Sequence, residues 1–113
     1  MAALTTTQLL YEVRRACQRS LLVRHIEERI LDIDVLHIRA YLSLPGTFIN
    51  AFYNLATDKT AFALIQTGRR IYGADNAKMG WHYHPFADPS QHIACPQMTF
   101  AEFLQAVEDH FNE

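Results

Sequence analysis

The hydrophobic period of the chain changes along its length. In "TTTQLLYEVRRACQRS", Leu9, Leu10, Val13, Ala16 and Cys17 recur at helical spacing and form one apolar stripe. Glu12, Arg14, Arg15, Gln18 and Arg19 take the opposite side, and Thr5 to Thr7 are available as N-cap, so a helix is predicted. From Leu21 the period becomes two. It is imperfect in "LLVRHIEERIL", where Leu22, Ile26 and Ile30 share a face with Arg24 and Glu28. It is clean in "LHIRAYLSL": Leu36, Ile38, Ala40, Leu42 and Leu44 point one way, and His37, Arg39, Tyr41 and Ser43 the other. That alternation predicts a half-buried antiparallel strand.

"DID", Asp32 to Asp34, joins the two runs as a tight connection, and Pro45-Gly46 supplies a turn. "TFINAFYNL" and "KTAFALIQT" read as two more strands, and "RRIYG" as a last short one after Gly68. Five strands with short connections predict an antiparallel meander. The end of the chain is the plainest local signal. Thr99 and Glu102 make a capping box, and Met98 and Phe103 a hydrophobic staple. Phe100, Phe103, Leu104, Val107 and Phe111 then line one face of a helix that should pack on the sheet. The expected class is α+β, one domain over residues 1–113: helix, sheet, long loop, helix.

Half of the residues are hydrophobic and 19% are charged, which suits a globular chain rather than a disordered one. No apolar run approaches a membrane span, and the first twenty residues are unlike a signal peptide, so cytoplasmic residence is expected. Cys17 and Cys95 are expected as free thiols, and without a C-x-x-C pair zinc held by paired cysteines is excluded. A net charge of −2 argues against a strongly basic nucleic-acid coat. It leaves room for a small nucleotide or a short single strand, served by a few local cations.

The predicted loop, Gly73 to Pro96, holds three of the six histidines: His82, His84 and His92. Long loops in small domains are uncommon and often functional. Trp81, Tyr83 and Phe86 give this one enough aromatic packing to be ordered. If "WHYHP" is extended, His82 and His84 project to one side, Trp81 and Tyr83 to the other. Two imidazoles so placed suit an acid–base pair without metal, or a metal site completed by His92 and Asp75. Asp75 can orient an imidazole or, with Asn76, simply form an Asx turn.

Arg69 and Arg70 are adjacent on a short strand and so face opposite sides, Tyr72 sharing a face with Arg70. Either arginine can clamp a phosphate with its planar fork of donors. Tyr53, Tyr72, Trp81 and Asn76 are candidate substrate contacts, and Tyr41 is another stacking surface. His25, His37 and His110 lie on regular elements, where structural roles are expected. There is no glycine-rich phosphate loop, G-x-S-x-G or H-E-x-x-H.

The run from Phe52 to Ile93, through "FYN", "ALI..GRRI.GADN" and "GWHYHPF..PS.HI", resembles bacterial proteins of the TumE type, toxin-like partners of helix-turn-helix antitoxins. The resemblance implies a small α+β domain similar to RelE-like and other metal-independent ribonucleases. His82, His84 and His92 match its histidine pattern, and Asp75 and Asn76 the acidic-amide pair before it.

The leading expectation is therefore a phosphodiesterase, working without cofactor or metal, on RNA or a cyclic oligoribonucleotide. A 2′-hydroxyl would attack phosphorus, His82 and His84 would act as general base and acid, and Arg69 or Arg70 would stabilise the phosphate. The alternatives are a non-catalytic binding module with a protein partner such as a helix-turn-helix antitoxin, and a metal-dependent hydrolase built on H-x-H. A homodimer is compatible with an open sheet edge or face.

Overall fold

Both helices begin with the same device. The Thr5 side chain accepts from the Gln8 N–H while the Gln8 side chain accepts from the Thr5 N–H. Thr99 and Glu102 repeat the exchange at the other end of the chain. Each box satisfies two donors that a helix start otherwise leaves orphaned. The computed structural model describes residues 5–112. Helix α1 (Thr6–Arg19) leads into strands β1 (Val23–Asp32), β2 (Val35–Leu42), β3 (Thr47–Asn54), β4 (Lys59–Gln66) and β5 (Arg69–Asp75). Strands β6 (His82–His84) and β7 (Ile93–Ala94) follow, then helix α2 (Phe100–Phe111).

The strands form one sheet in chain order, every neighbour antiparallel. The α+β meander is as expected, but it has seven strands rather than five. The predicted loop supplies the last residues of β5 and all of β6 and β7. Strands of three and two residues are too short to show a period, and the flanking prolines disguise them further.

Both helices lie on one face of the sheet, α1 over β1 and β2, α2 over β4, and they touch each other. Alternation therefore sorts the strands cleanly. Leu36, Ile38, Ala40 and Leu42 of β2, and Ile49, Ala51 and Tyr53 of β3, are buried beneath the helices. Phe62 and Leu64 of β4 and Tyr72 and Ala74 of β5 join them, meeting Val13 of α1 and Phe103 and Val107 of α2. Glu28, which broke the alternation of β1, is paired by Arg14 of α1 through two hydrogen bonds.

The register of β4 with β5 contains a bulge. Leu64 pairs with Tyr72 but Ile65 pairs with Arg70, so Ile71 is the extra residue. Strict alternation placed Arg70 and Tyr72 on one face; the bulge separates them. Tyr72 is buried against Phe103 and Phe86, while Arg70 stands on the uncovered face. No described helix is long and apolar enough to cross a membrane.

Phe103 is fully buried, with its ring 5.4 Å from Phe62 and 5.0 Å from Tyr72. Phe103→Ala should lower stability by about 3–5 kcal/mol in urea unfolding, since the surrounding rings cannot collapse into the space. Cys17 and Cys95 are both free. Burial, reinforced by the charge of Glu28, pushes the Cys17 thiol up to about 11. At pH 8 only about a thousandth of it is thiolate by that value, so alkylation should spare Cys17 until urea unfolds the chain.

Candidate functional site

The site is set by which residues of β5 face which residues of β6. Gly73 pairs with His84 and Asp75 with His82, and residues directly opposite share a face. Both imidazoles thus stand beside Asp75 on the side away from the helices. One carboxylate oxygen serves each ring: Asp75 Oδ1 lies 3.3 Å from His82 Nε2, and Oδ2 3.1 Å from His84 Nε2. The Ala77 N–H donates to Oδ1 at 2.9 Å, so Asp75 makes an Asx turn and holds the imidazoles at once.

Each ring is fixed at its other nitrogen by a backbone carbonyl. His82 Nδ1–H donates to Gly80 O at 2.9 Å, and His84 Nδ1–H to Gln91 O at 3.1 Å. Gly80 has φ +84°, a left-handed conformation that glycine adopts without strain. Segment 85–92 wraps the sheet edge: Phe86 stacks on Tyr72 and His110 on the helix side, while the Pro89 and Gln91 carbonyls reach Arg70 and His84. The wrap leaves His82 and His84 only 3% exposed and brings in His92, which stays exposed. The His92 ring centroid is 5.0 Å from that of His82 and 4.6 Å from that of His84. Each of the three imidazoles offers a nitrogen within 4.8 Å of the others.

The hydrogen-bond polarity of this cluster is unusual. A carbonyl only accepts, so each Nδ1 carries the hydrogen, and a neutral ring then presents a bare lone pair at Nε2. Both Nε2 atoms face the Asp75 carboxylate, which when ionised only accepts. Burial pushes the Asp75 carboxyl up, but the Ala77 N–H, a hydrogen bond donated by His84 and the positive charges of protonated His82 and His84 outweigh it. The net result lies below the ordinary aspartate range, so the carboxylate is ionised at neutral pH. Two nitrogens and two oxygens therefore need something positive among them, either a second proton on each ring or a metal ion.

A second proton on a ring would make its contact with Asp75 a charge-assisted N–H···O bond. A divalent ion is the other possibility: His82, His84 and His92 each offer a nitrogen within 4.8 Å of the others, with Asp75 beside two of them. Donors on one tetrahedral zinc, at bonds of about 2.0–2.2 Å, lie about 3.3 Å apart. The two Asp75–histidine distances have that length. A backbone partner at Nδ1 is also how metal-binding imidazoles are commonly held.

Of the other residues predicted for the site, only Arg70 belongs to it. Its Nη2 donates to Pro89 O at 3.1 Å on the same face. Arg69 is exposed at the start of β5, paired with Gln66. The Asn76 amide accepts from Thr60 N–H and donates to Asp58 O, tying two turns together. Tyr53 and Tyr72 are buried on the helix side, and Trp81 is half-buried there near Phe62. Burial raises the pKa of both tyrosine hydroxyls. The sequence reading missed Gly73 and the two carbonyls. Every residue has a carbonyl, so only the fold could single those out.

At Gly73 an added Cβ would meet Phe62 O at 3.2 Å and both Arg70 Cδ and His84 Cδ2 at 3.3 Å. Gly73→Ala should fold yet displace His84 by a few tenths of an ångström. By analogy with lost ligand-orienting contacts, metal affinity should fall about 10- to 100-fold in a competition titration. No protein-family model, curated protein or solved structure matches the chain.

Proposed function

We propose that Asp75, His82 and His84 bind a divalent transition-metal ion, zinc by its donor set, and that the chain is a metal-dependent phosphodiesterase acting on RNA. The observation that carries this reading is the pair of buried Nε2 atoms turned toward one carboxylate, with a His92 nitrogen within 4.8 Å of both imidazoles' ligand atoms. It departs from the metal-free chemistry expected of the sequence. With Nδ1 committed to carbonyls and Nε2 to Asp75, neither buried ring has a nitrogen left to exchange protons with a substrate.

His92 supplies that function. It is exposed and carries a nitrogen within 4.8 Å of the other two imidazoles, within reach of a ligand on the ion. The ion, when bound, would supply a water of lowered pKa that gives its proton to solvent and serves as nucleophile. As its oxygen bonded to phosphorus, the bond to the leaving sugar oxygen would break, and protonated His92 would donate a proton to that oxygen. Arg70, on the same face, offers its remaining N–H groups to the phosphate. This route leaves linear phosphate ends, whereas 2′-hydroxyl attack would leave a 2′,3′-cyclic phosphate.

A second reading, a non-catalytic partner of another protein such as a helix-turn-helix antitoxin, is favoured by one feature. Ile30, Leu31 and Ile33 are exposed together at the β1–β2 turn. Protein that holds zinc but cleaves no phosphodiester would favour that reading.

Elemental analysis should find one zinc per wild-type chain, lost in Asp75→Ala, His82→Ala and His84→Ala but kept in His92→Ala. Cleavage of a short RNA should fall on the order of a hundred- to ten-thousandfold in His92→Ala. It should stop with chelator and return with zinc. Full cleavage by metal-free protein would rule the proposal out.

A further inference from the structure

The sheet face opposite the helices is covered only at its β5–β7 end, and its exposed part is neither blandly polar nor apolar. The strand registers define three rows across it. Arg29, His37, Phe52 and Ala61 lead to Asp75 and His82. Glu27, Arg39, Asn50, Ala63 and Gly73 lead to His84. His25, Tyr41, Phe48 and Ile65 lead to Arg70. From these registers we infer that this face is a platform for single-stranded nucleic acid, running into the Asp75–histidine centre. The inference deepens the phosphodiesterase reading by naming the substrate's form, and it rests on that reading only for the direction of the strand.

Three observations carry it. First, Tyr41, Phe48 and Phe52 are half-buried rings on adjacent strands: Phe52 can offer its face to an unpaired base, while Phe48 carries the Arg39 guanidinium and Tyr41 the His25 ring as stacked planes. Phe52 is two strand spacings from Asp75, about 10 Å, so a base stacked there leaves its neighbouring phosphate within reach of the centre. Second, polar contacts already order the surface. The Arg39 guanidinium lies 4.3 Å over the Phe48 ring, and Arg39 Nε donates to Asn50 Oδ1 at 3.1 Å. His37 Nε2 lies 3.3 Å from the same oxygen, and Tyr41 O–H donates to Glu27 at 2.7 Å.

Third, the face carries local cations. Arg29, Arg39 and Arg70, with His25 and His37, stand on it against Glu27 and Asp75. The helix side is mixed, with Arg14, Arg15 and Arg19 on α1 and Glu102, Glu108 and Asp109 on α2. The charge suits a polyanion. Two copies of the chain face to face would instead bring arginines against arginines. A duplex hides its base faces and gives the rings nothing to stack on.

The test is fluorescence anisotropy with the zinc-supplemented full chain and the same chain in chelator. The probes are a labelled twelve-nucleotide oligouridylate, its DNA counterpart and a duplex of the same length. Single strands should bind at least tenfold more tightly than duplex, with an affinity that falls as salt rises. Phe48→Ala and Phe52→Ala should each weaken binding about 5- to 150-fold, as loss of one stacked base does. Arg39→Gln provides a second variant that removes no ring, and Asp109→Asn on α2 should bind as wild type. Circular dichroism checks that each variant is folded.

Equal binding of RNA and DNA supports stacking indifferent to the sugar, and tighter RNA binding supports it with added 2′-hydroxyl contacts. Duplex binding as tight as single-strand binding would overturn the inference. So would folded Phe48→Ala and Phe52→Ala proteins that bind like wild type, or a dimer that dissociates on Phe52→Ala. Persistent single-strand binding by a chain that takes no metal would leave this inference standing and the catalytic proposal fallen. Zinc-dependent cleavage unaffected by the ring substitutions would do the reverse.

Discussion

Two imidazoles and one carboxylate, held against each other by backbone, are the constraint on which the rest of this structure turns. The constraint is geometric before it is electrostatic. A one-residue slip of β6 against β5 would turn both rings to the helix side, where Tyr72 and Phe103 leave no room for them. The Gly80 and Gln91 carbonyls then fix each ring about its own axis. Among the described residues, every buried side-chain nitrogen or oxygen has a hydrogen-bond partner, so the protein does not leave polar groups idle elsewhere. At Asp75 one carboxylate meets two ring nitrogens, and it is satisfied where those nitrogens carry hydrogens or share a cation with it.

The one-sided placement of the helices gives the site its setting. A sheet with both helices on one face can build a core there by simple alternation, and β2, β3 and β4 do so. The other face is then released from packing duty. Near β5 and β6 the chain covers it with its own segment 85–92, which is why two histidines on an outward-facing strand are nearly as buried as the core. Farther along it stays open. The edges are blunted differently: β7 is only two residues long, and β1 carries Arg24, Glu27 and Arg29. Neither edge resembles the long apolar strand that invites uncontrolled pairing.

Much of this was legible in the sequence wherever a local rule decides the outcome. The Thr99–Glu102 box and the apolar face behind it specify α2 without tertiary help, and "LHIRAYLSL" specifies β2 with its faces. The H-x-H spacing placed His82 and His84 on one side as soon as β6 was extended. What failed was whatever depends on pairing. The bulge at Ile71 shifts Arg70 to the face of the histidines, and nothing in "RRIYG" announces it. His92 is eight positions from His84, and only the wrap of segment 85–92 brings the rings to 4.6 Å. The aromatic candidates failed for a related reason. A tyrosine at a half-buried strand position suits core and surface equally, and the helices claimed Tyr53 and Tyr72.

Net charge shows most plainly how a whole-chain quantity can mislead about a site. A value of −2 argues against a coat for long duplexes. Yet a ligand on the sheet responds to charges within about 8 Å, the screening length at physiological salt. Over that range Arg29, Arg39 and Arg70 count together with Glu27 and Asp75, whereas the charged residues of α1 and α2 lie across the sheet. The same separation limits what can bind. Weak long-range attraction and a small local cation set suit a short flexible strand that makes several contacts at once. A stiff duplex, touching the face along one line of phosphates, would gain little from it.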